Sequence, residues 1–81
     1  MSERLMLKGA LQEKKLSVMS IATRAEALIR AIRQTIQPGI ITPLKDLKVD
    51  EARALMDELT GLHEAYMQLI TDIKAIEKEL G

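Results

Sequence analysis

The chain has 81 residues, of which 47% are hydrophobic and 30% charged, with one aromatic residue, no cysteine and zero net charge at pH 7. This composition excludes a disordered chain, a disulfide-stabilised fold and a thiolate metal site. A domain of this size buries only about 60% of its unfolded surface, and its aliphatic residues favour helices. We therefore expect one all-α domain over residues 1–81 that gains stability from a partner.

The first predicted helix covers residues 2–36. Ser2 can cap it, because the serine hydroxyl can accept a hydrogen bond from the first turn. Pro38 ends it, since proline lacks an amide hydrogen and disfavours helical geometry at Gln37. A glycine inside a helix costs up to about 1 kcal/mol relative to alanine. The sequence therefore leaves open whether the helix is unbroken at Gly9.

The apolar residues of this helix follow a heptad pattern, and Ile29 and Ile36 widen the stripe. Two polar residues, Lys14 and Thr35, also occupy heptad positions. We expect the Lys14 stem to lie on the apolar seam with its ammonium lifted out; a role in setting register is the alternative. The apolar heptad residues are Leu7, Leu11, Val18, Ile21, Ala25, Leu28 and Ile32.

The connection covers residues 37–49. Pro38-Gly39 predicts a turn, and Thr42-Pro43 predicts an N-cap followed by proline at the first position of a helical turn at 43–47. The connection is unusually apolar, and we interpret its side chains as closing the end of a bundle, with a partner-binding patch as the alternative. These side chains are Ile40, Ile41, Leu44, Leu47 and Val49.

The second predicted helix covers residues 50–80, with Asp50 as its N-cap. Alternating steps of three and four residues meet only apolar or aromatic side chains over four heptads, which predicts a helix–helix seam. The seam residues are Ala52, Leu55, Leu59, Leu62, Tyr66, Leu69, Ile73, Ile76 and Leu80.

A second row beside this seam makes the face wider than a two-helix pair needs. We therefore predict an antiparallel, coiled-coil-like two-helix hairpin that pairs as a homodimer into a four-helix bundle. A domain-swapped dimer, in which residues 37–49 run straight across, is left open. The predicted oligomer or partner interface comprises Met56, His63, Met67, Ile70, Ile29 and Ile36.

His63 is the only histidine and the first candidate for a base or a metal ligand. A helical metal site needs further ligands three or four residues away, but apolar residues, Thr60 and Tyr66 occupy those positions. Met67 stands where a His-Glu-x-x-His motif requires its second histidine. No nucleophile elbow or phosphate-binding glycine loop is present. We expect no enzyme activity, no cofactor and no metal, with His63 at the rim of the apolar face.

Charge is divided unevenly along the chain. Residues 1–37 carry seven basic and three acidic side chains, whereas residues 38–81 carry five basic and nine acidic ones. We interpret this as complementarity between neighbouring helices. The alternative is a polyanion contact, against which stand a pI of about 6.6 and the lack of stacking aromatics. The candidate polyanion contacts are Arg4, Lys8, Lys15, Arg30 and Arg33.

The predicted function is that of a small non-enzymatic interaction or scaffold protein. It would act by oligomerisation or by binding a helix of another protein. A nucleic-acid-binding accessory protein is the alternative. No apolar run approaches the roughly 20 residues that span a bilayer, and no apolar leader is visible near the N-terminus, so we expect a cytoplasmic protein with no membrane partner.

Overall fold

A computed structural model describes residues 2–37 and 43–81 of the chain. Helix α1 is Glu3–Ile36, a short 3-10 helix is Leu44–Asp46, and helix α2 is Val49–Leu80. No strand occurs among these residues, and the two long helices pack against each other. The predicted all-α hairpin is confirmed. It measures 62 × 17 × 15 Å.

Ser2 caps helix α1 as predicted, because its Oγ accepts a hydrogen bond of 3.2 Å from the Leu5 amide. The helix runs unbroken through Gly9, where an added Cβ would meet nothing within 4 Å. At the other end, the prediction that Gln37 leaves helical geometry is wrong. Gln37 has φ −52° and ψ −40°, because its amide still donates to the Arg33 carbonyl.

The turn predicted at 43–47 is a 3-10 helix of three residues. Pro43 stands before it with φ −55° and ψ 141°, so proline takes the cap position and not the first helical position. Leu47 is half-buried, but Leu44 is 80% exposed and Val49 57% exposed. These two side chains therefore do not close the end of the hairpin.

The remaining predictions for the connection lie outside the described residues. They concern the Pro38-Gly39 turn, Thr42 as an N-cap, and the placement of Ile40 and Ile41.

Helix α2 starts one residue earlier than predicted, at Val49, and Asp50 is not its N-cap. Lys48 occupies the cap position without a side-chain hydrogen bond, so Asp50 is already inside the first turn. There its carboxylate and that of Glu51 stabilise the helix through the positive end of the helix dipole.

The core is a thin seam between the two helices. All nine heptad positions of α2 are buried or half-buried, and Ala52 and Ile73 are the most enclosed, with 7% and 8% exposure. The nine facing positions of α1, Lys14 and Thr35 included, are half-buried. No described side chain is fully enclosed, because each helix covers only one face of the other.

The polar seam residues of α1 have partners. Lys14 Nζ lies 3.6 Å from Asp72 Oδ2. The other oxygen of that carboxylate accepts a hydrogen bond of 2.9 Å from the side-chain amide of Gln68. The Thr35 hydroxyl donates to the Ala31 carbonyl at 2.8 Å. The Lys14 side chain keeps 33% exposure, so its charge reaches the edge of the seam without entering the core.

Replacing Lys14 with Leu should raise the free energy of unfolding by about 1 kcal/mol. A partly exposed ion pair contributes at most about 1 kcal/mol, and a leucine at this seam position would bury more apolar surface. Urea denaturation in dilute solution measures the change. Lys78→Leu, on the exposed last turn of α2, is the control and should change stability by less than about 0.5 kcal/mol. A loss of stability in Lys14→Leu would show that the ion pair outweighs the apolar contact.

Candidate partner-binding surface

One long side of the hairpin is formed by two rows of residues spaced by seven, one on each helix, which we call the apolar side. A step of seven returns to the same side of a helix in a heptad pattern. Two observations place both rows on one side: Lys15 Nζ lies 3.9 Å from Glu77 Oε2, and one groove is lined by members of both rows. The α1 row is Lys8, Lys15, Ala22, Ile29 and Ile36, and the α2 row is Val49, Met56, His63, Ile70 and Glu77.

The groove on the apolar side has a volume of about 590 Å³. Seam residues Leu62 and Tyr66 line it and are half-buried. Ile29 and Met56 line it as well and remain 39% and 45% exposed. The groove is thus an uncovered continuation of the seam, bounded by apolar side chains.

The structure brings part of the predicted interface together. Ile29, Met56 and His63 line the same groove. Met67 is half exposed and Ile70 is half-buried on the same helix. Ile36 lines a smaller groove of about 330 Å³ closer to the connection, so it extends the apolar side toward that end.

The opposite side of the hairpin, which we call the polar side, is chemically different. Its α2 row carries acidic residues at four of five positions, and its α1 row carries small residues and Arg24. A groove of about 470 Å³ near the connection is lined there by Gln34, Glu51 and other residues. The α2 row is Glu51, Glu58, Ala65, Asp72 and Glu79, and the α1 row is Ala10, Ser17, Arg24 and Ala31.

His63 is exposed at the edge of the apolar groove, which Glu26 and Tyr66 also line. Within residues 2–37 and 43–81, no three His, Asp or Glu side chains are grouped so that they could hold a metal ion. The arrangement around His63 is that of a polar residue on the rim of an apolar surface.

The candidate polyanion contacts are not a free basic stripe. The Arg4 guanidinium donates to the Leu80 carbonyl at 3.0 Å, and Lys15 is paired with Glu77. Lys8, Arg30 and Arg33 are exposed. Two of the five cations therefore have a partner on the other helix.

Several residues of the apolar side were not among the predicted interface residues. A step of seven from Ile29 reaches Ala22, and a step of seven from Met56 reaches Val49, so the spacing that would find them is present in the sequence. A further set of exposed apolar residues lies in the first half of α1, outside both heptad rows, and heptad reasoning does not reach it. This set is Leu5, Met6, Leu16 and Met19.

The hairpin exposes more surface than a compact chain of its mass. Its accessible surface is 6451 Å², whereas a compact 9.1 kDa monomer exposes about 4,900 Å². Its radius of gyration is 18.5 Å, against about 12 Å for a compact domain of this length. The excess of about 1,500 Å² is the consequence of a fold with two helices and one shared seam.

No protein-family model matches the chain, and no significant match was found among curated proteins or solved structures. Across the described ranges, neither helix contains a stretch long and apolar enough to cross a membrane.

Leu62→Ala should cost about 1–2 kcal/mol of unfolding free energy in dilute solution, where a half-buried leucine loses part of its burial energy. If a second molecule covers the groove at higher concentration, the cost should rise to about 2–5 kcal/mol, because the side chain is then fully enclosed. Chemical denaturation at several protein concentrations measures both values. Leu16→Ala is the control, because Leu16 is 56% exposed; it should stay within about 0.5 kcal/mol of the parent chain. A cost for Leu62→Ala below about 0.5 kcal/mol at every concentration would contradict the seam assignment.

Proposed function

We propose that this protein is a non-enzymatic helical interaction protein that acts by packing its apolar side against further helices. The simplest assembly is a homodimer that forms an antiparallel four-helix bundle. The observation that supports the proposal is the apolar groove, where seam residues such as Leu62 and Tyr66 lie half-buried and no element of residues 2–37 or 43–81 covers them.

The excess surface of the hairpin is large enough to supply a stable interface. Covering the excess of about 1,500 Å² on each chain would bury about 3,000 Å² in a dimer, which falls in the range of obligate interfaces. The two helices alone leave no described side chain fully enclosed. A second pair of helices would give the seam residues the enclosure that a core requires.

The shape of the apolar side favours helices as its partners. Near the connection its apolar residues recur every seven positions, as Ile29 and Ile36 on α1 and as Val49 and Met56 on α2. This spacing accepts the side chains of another heptad helix as knobs in holes. The surface is concave between Ile29 and Met56, so projecting side chains can fill it, whereas a flat lipid surface would leave it empty. A helix of another protein with the same spacing would bind by the same geometry.

Placing a charge on the apolar side should abolish self-association while the hairpin still folds. We expect Ile29→Lys and Met56→Lys each to weaken association at least tenfold, because an ammonium enclosed among the apolar side chains of the groove loses most of its hydration. Both residues are partly exposed in the single hairpin, so helicity by circular dichroism should be retained. Light scattering over a dilution series measures the mass.

Matched controls carry the same new charge on exposed positions of the same helices. These are Ala27→Lys on α1 and Ala54→Lys on α2, both of which lie outside the two rows of the apolar side. They should associate like the parent chain. If Ala27→Lys weakens association as much as Ile29→Lys does, the interface lies on another face. A parent chain whose mass stays at 9.1 kDa at every concentration would contradict the homodimer.

A further inference from the structure

We infer that a second copy of this chain covers the apolar side in one defined orientation, with both connections at the same end of the bundle. In this arrangement the two-fold axis runs along the length of the hairpin, and α1 of each copy lies on α2 of the other. The inference rests on the proposed function and specifies the partner and its orientation.

The first argument is a gradient along the apolar side. Near the connection its two rows present Ile36 and Ile29 on α1, and Val49 and Met56 on α2. At the free end the same rows become charged. There the α1 row presents Lys8 and Lys15, and the α2 row presents Glu77.

The contacts within the hairpin show that the two rows change from apolar to charged in the same direction along its length. Ile29 and Met56 line one groove together, as do Ala22 and His63. Lys15 reaches Glu77 at the other end. Both rows therefore change from apolar near the connection to charged at the free end, the α1 row from Lys15 onward and the α2 row one heptad later, at Glu77 after Ile70.

One orientation keeps the apolar ends together and the charged ends together, with Lys15 level with Ile70 as the single mismatch between the rows. With both connections at the same end, Ile29 of one copy lies at the same height along the bundle as Met56 of the other. Lys8 of one copy then lies at the same height as Glu77 of the other. With the connections at opposite ends, full overlap would place Lys8 on Ile36, so that a charge is desolvated against an apolar side chain. A shift that avoids this would leave the charged halves of both hairpins without a partner and reduce the buried area.

Charge between the helices supports the same orientation. Residues 3–36 of α1 carry seven basic and three acidic side chains, whereas residues 49–80 of α2 carry three basic and eight acidic ones. The same-end arrangement places each positive helix on the negative helix of the other copy. The opposite-end arrangement stacks α1 on α1 and α2 on α2, which brings like charges together.

Distances between spin labels on the two copies test the orientation. The chain contains no cysteine, so Lys45→Cys near the connection and Glu79→Cys near the free end each give one labelling site per copy. Both positions are exposed, and circular dichroism checks that the labelled chains fold. Pulsed dipolar spectroscopy then reports the distance between equivalent labels, and dilution with unlabelled chain shows that the signal comes from two molecules.

Both labels should give a distance of about 30 Å or less, since neighbouring helices in a bundle lie 8–10 Å apart. The opposite-end arrangement in a hairpin 62 Å long would give about 40 Å or more at both sites. That result would overturn the orientation while leaving the homodimer intact. A mass of one chain at every concentration, with no dipolar signal, would overturn the homodimer and with it the orientation.

Discussion

The structure depends on one constraint: two helices can enclose a side chain from two directions only. Every heptad position of α2 faces α1, yet only Ala52 and Ile73 become buried. Burial of apolar surface is the main favourable term in folding, and in a hairpin much of the apolar surface remains exposed to solvent. Part of this exposed apolar surface forms the groove beside Leu62 and Tyr66.

Polar residues occur where the seam can tolerate them. Lys14 lies at a heptad position, but its ammonium reaches Asp72 at the edge of the seam. The hydroxyl of Thr35 is satisfied by the carbonyl four residues earlier. At the free ends of the helices, Arg4 bonds the last turn of α2. The Lys14 and Arg4 contacts join the two helices on the polar side and at the open end, away from the apolar groove.

Much of the fold could be predicted because helical periodicity is a local property. The hydroxyl of Ser2 caps α1 as expected, and the three-four spacing in the sequence predicts the half-buried seam of α2. The errors fall at helix ends, where hydrogen bonds compete with residue preferences. Gln37 keeps helical geometry through its bond to Arg33, and helix α2 includes Val49, which moves Asp50 from the cap into the first turn. Part of the candidate surface was also predictable, since Met56 and His63 lie beside the seam in the sequence pattern.

The sequence by itself determined two amphipathic helices, the residues that face each other between them, and a face on α2 too wide for one neighbour. These follow from spacing along a helix, which each chain segment carries alone. Only the tertiary structure decided which residues of α1 lie level with which residues of α2, because that requires the register between the two helices. The pairing of Lys15 with Glu77 and the groove shared by Ile29 and Met56 depend on residues far apart in the chain, and no local pattern places them at the same level.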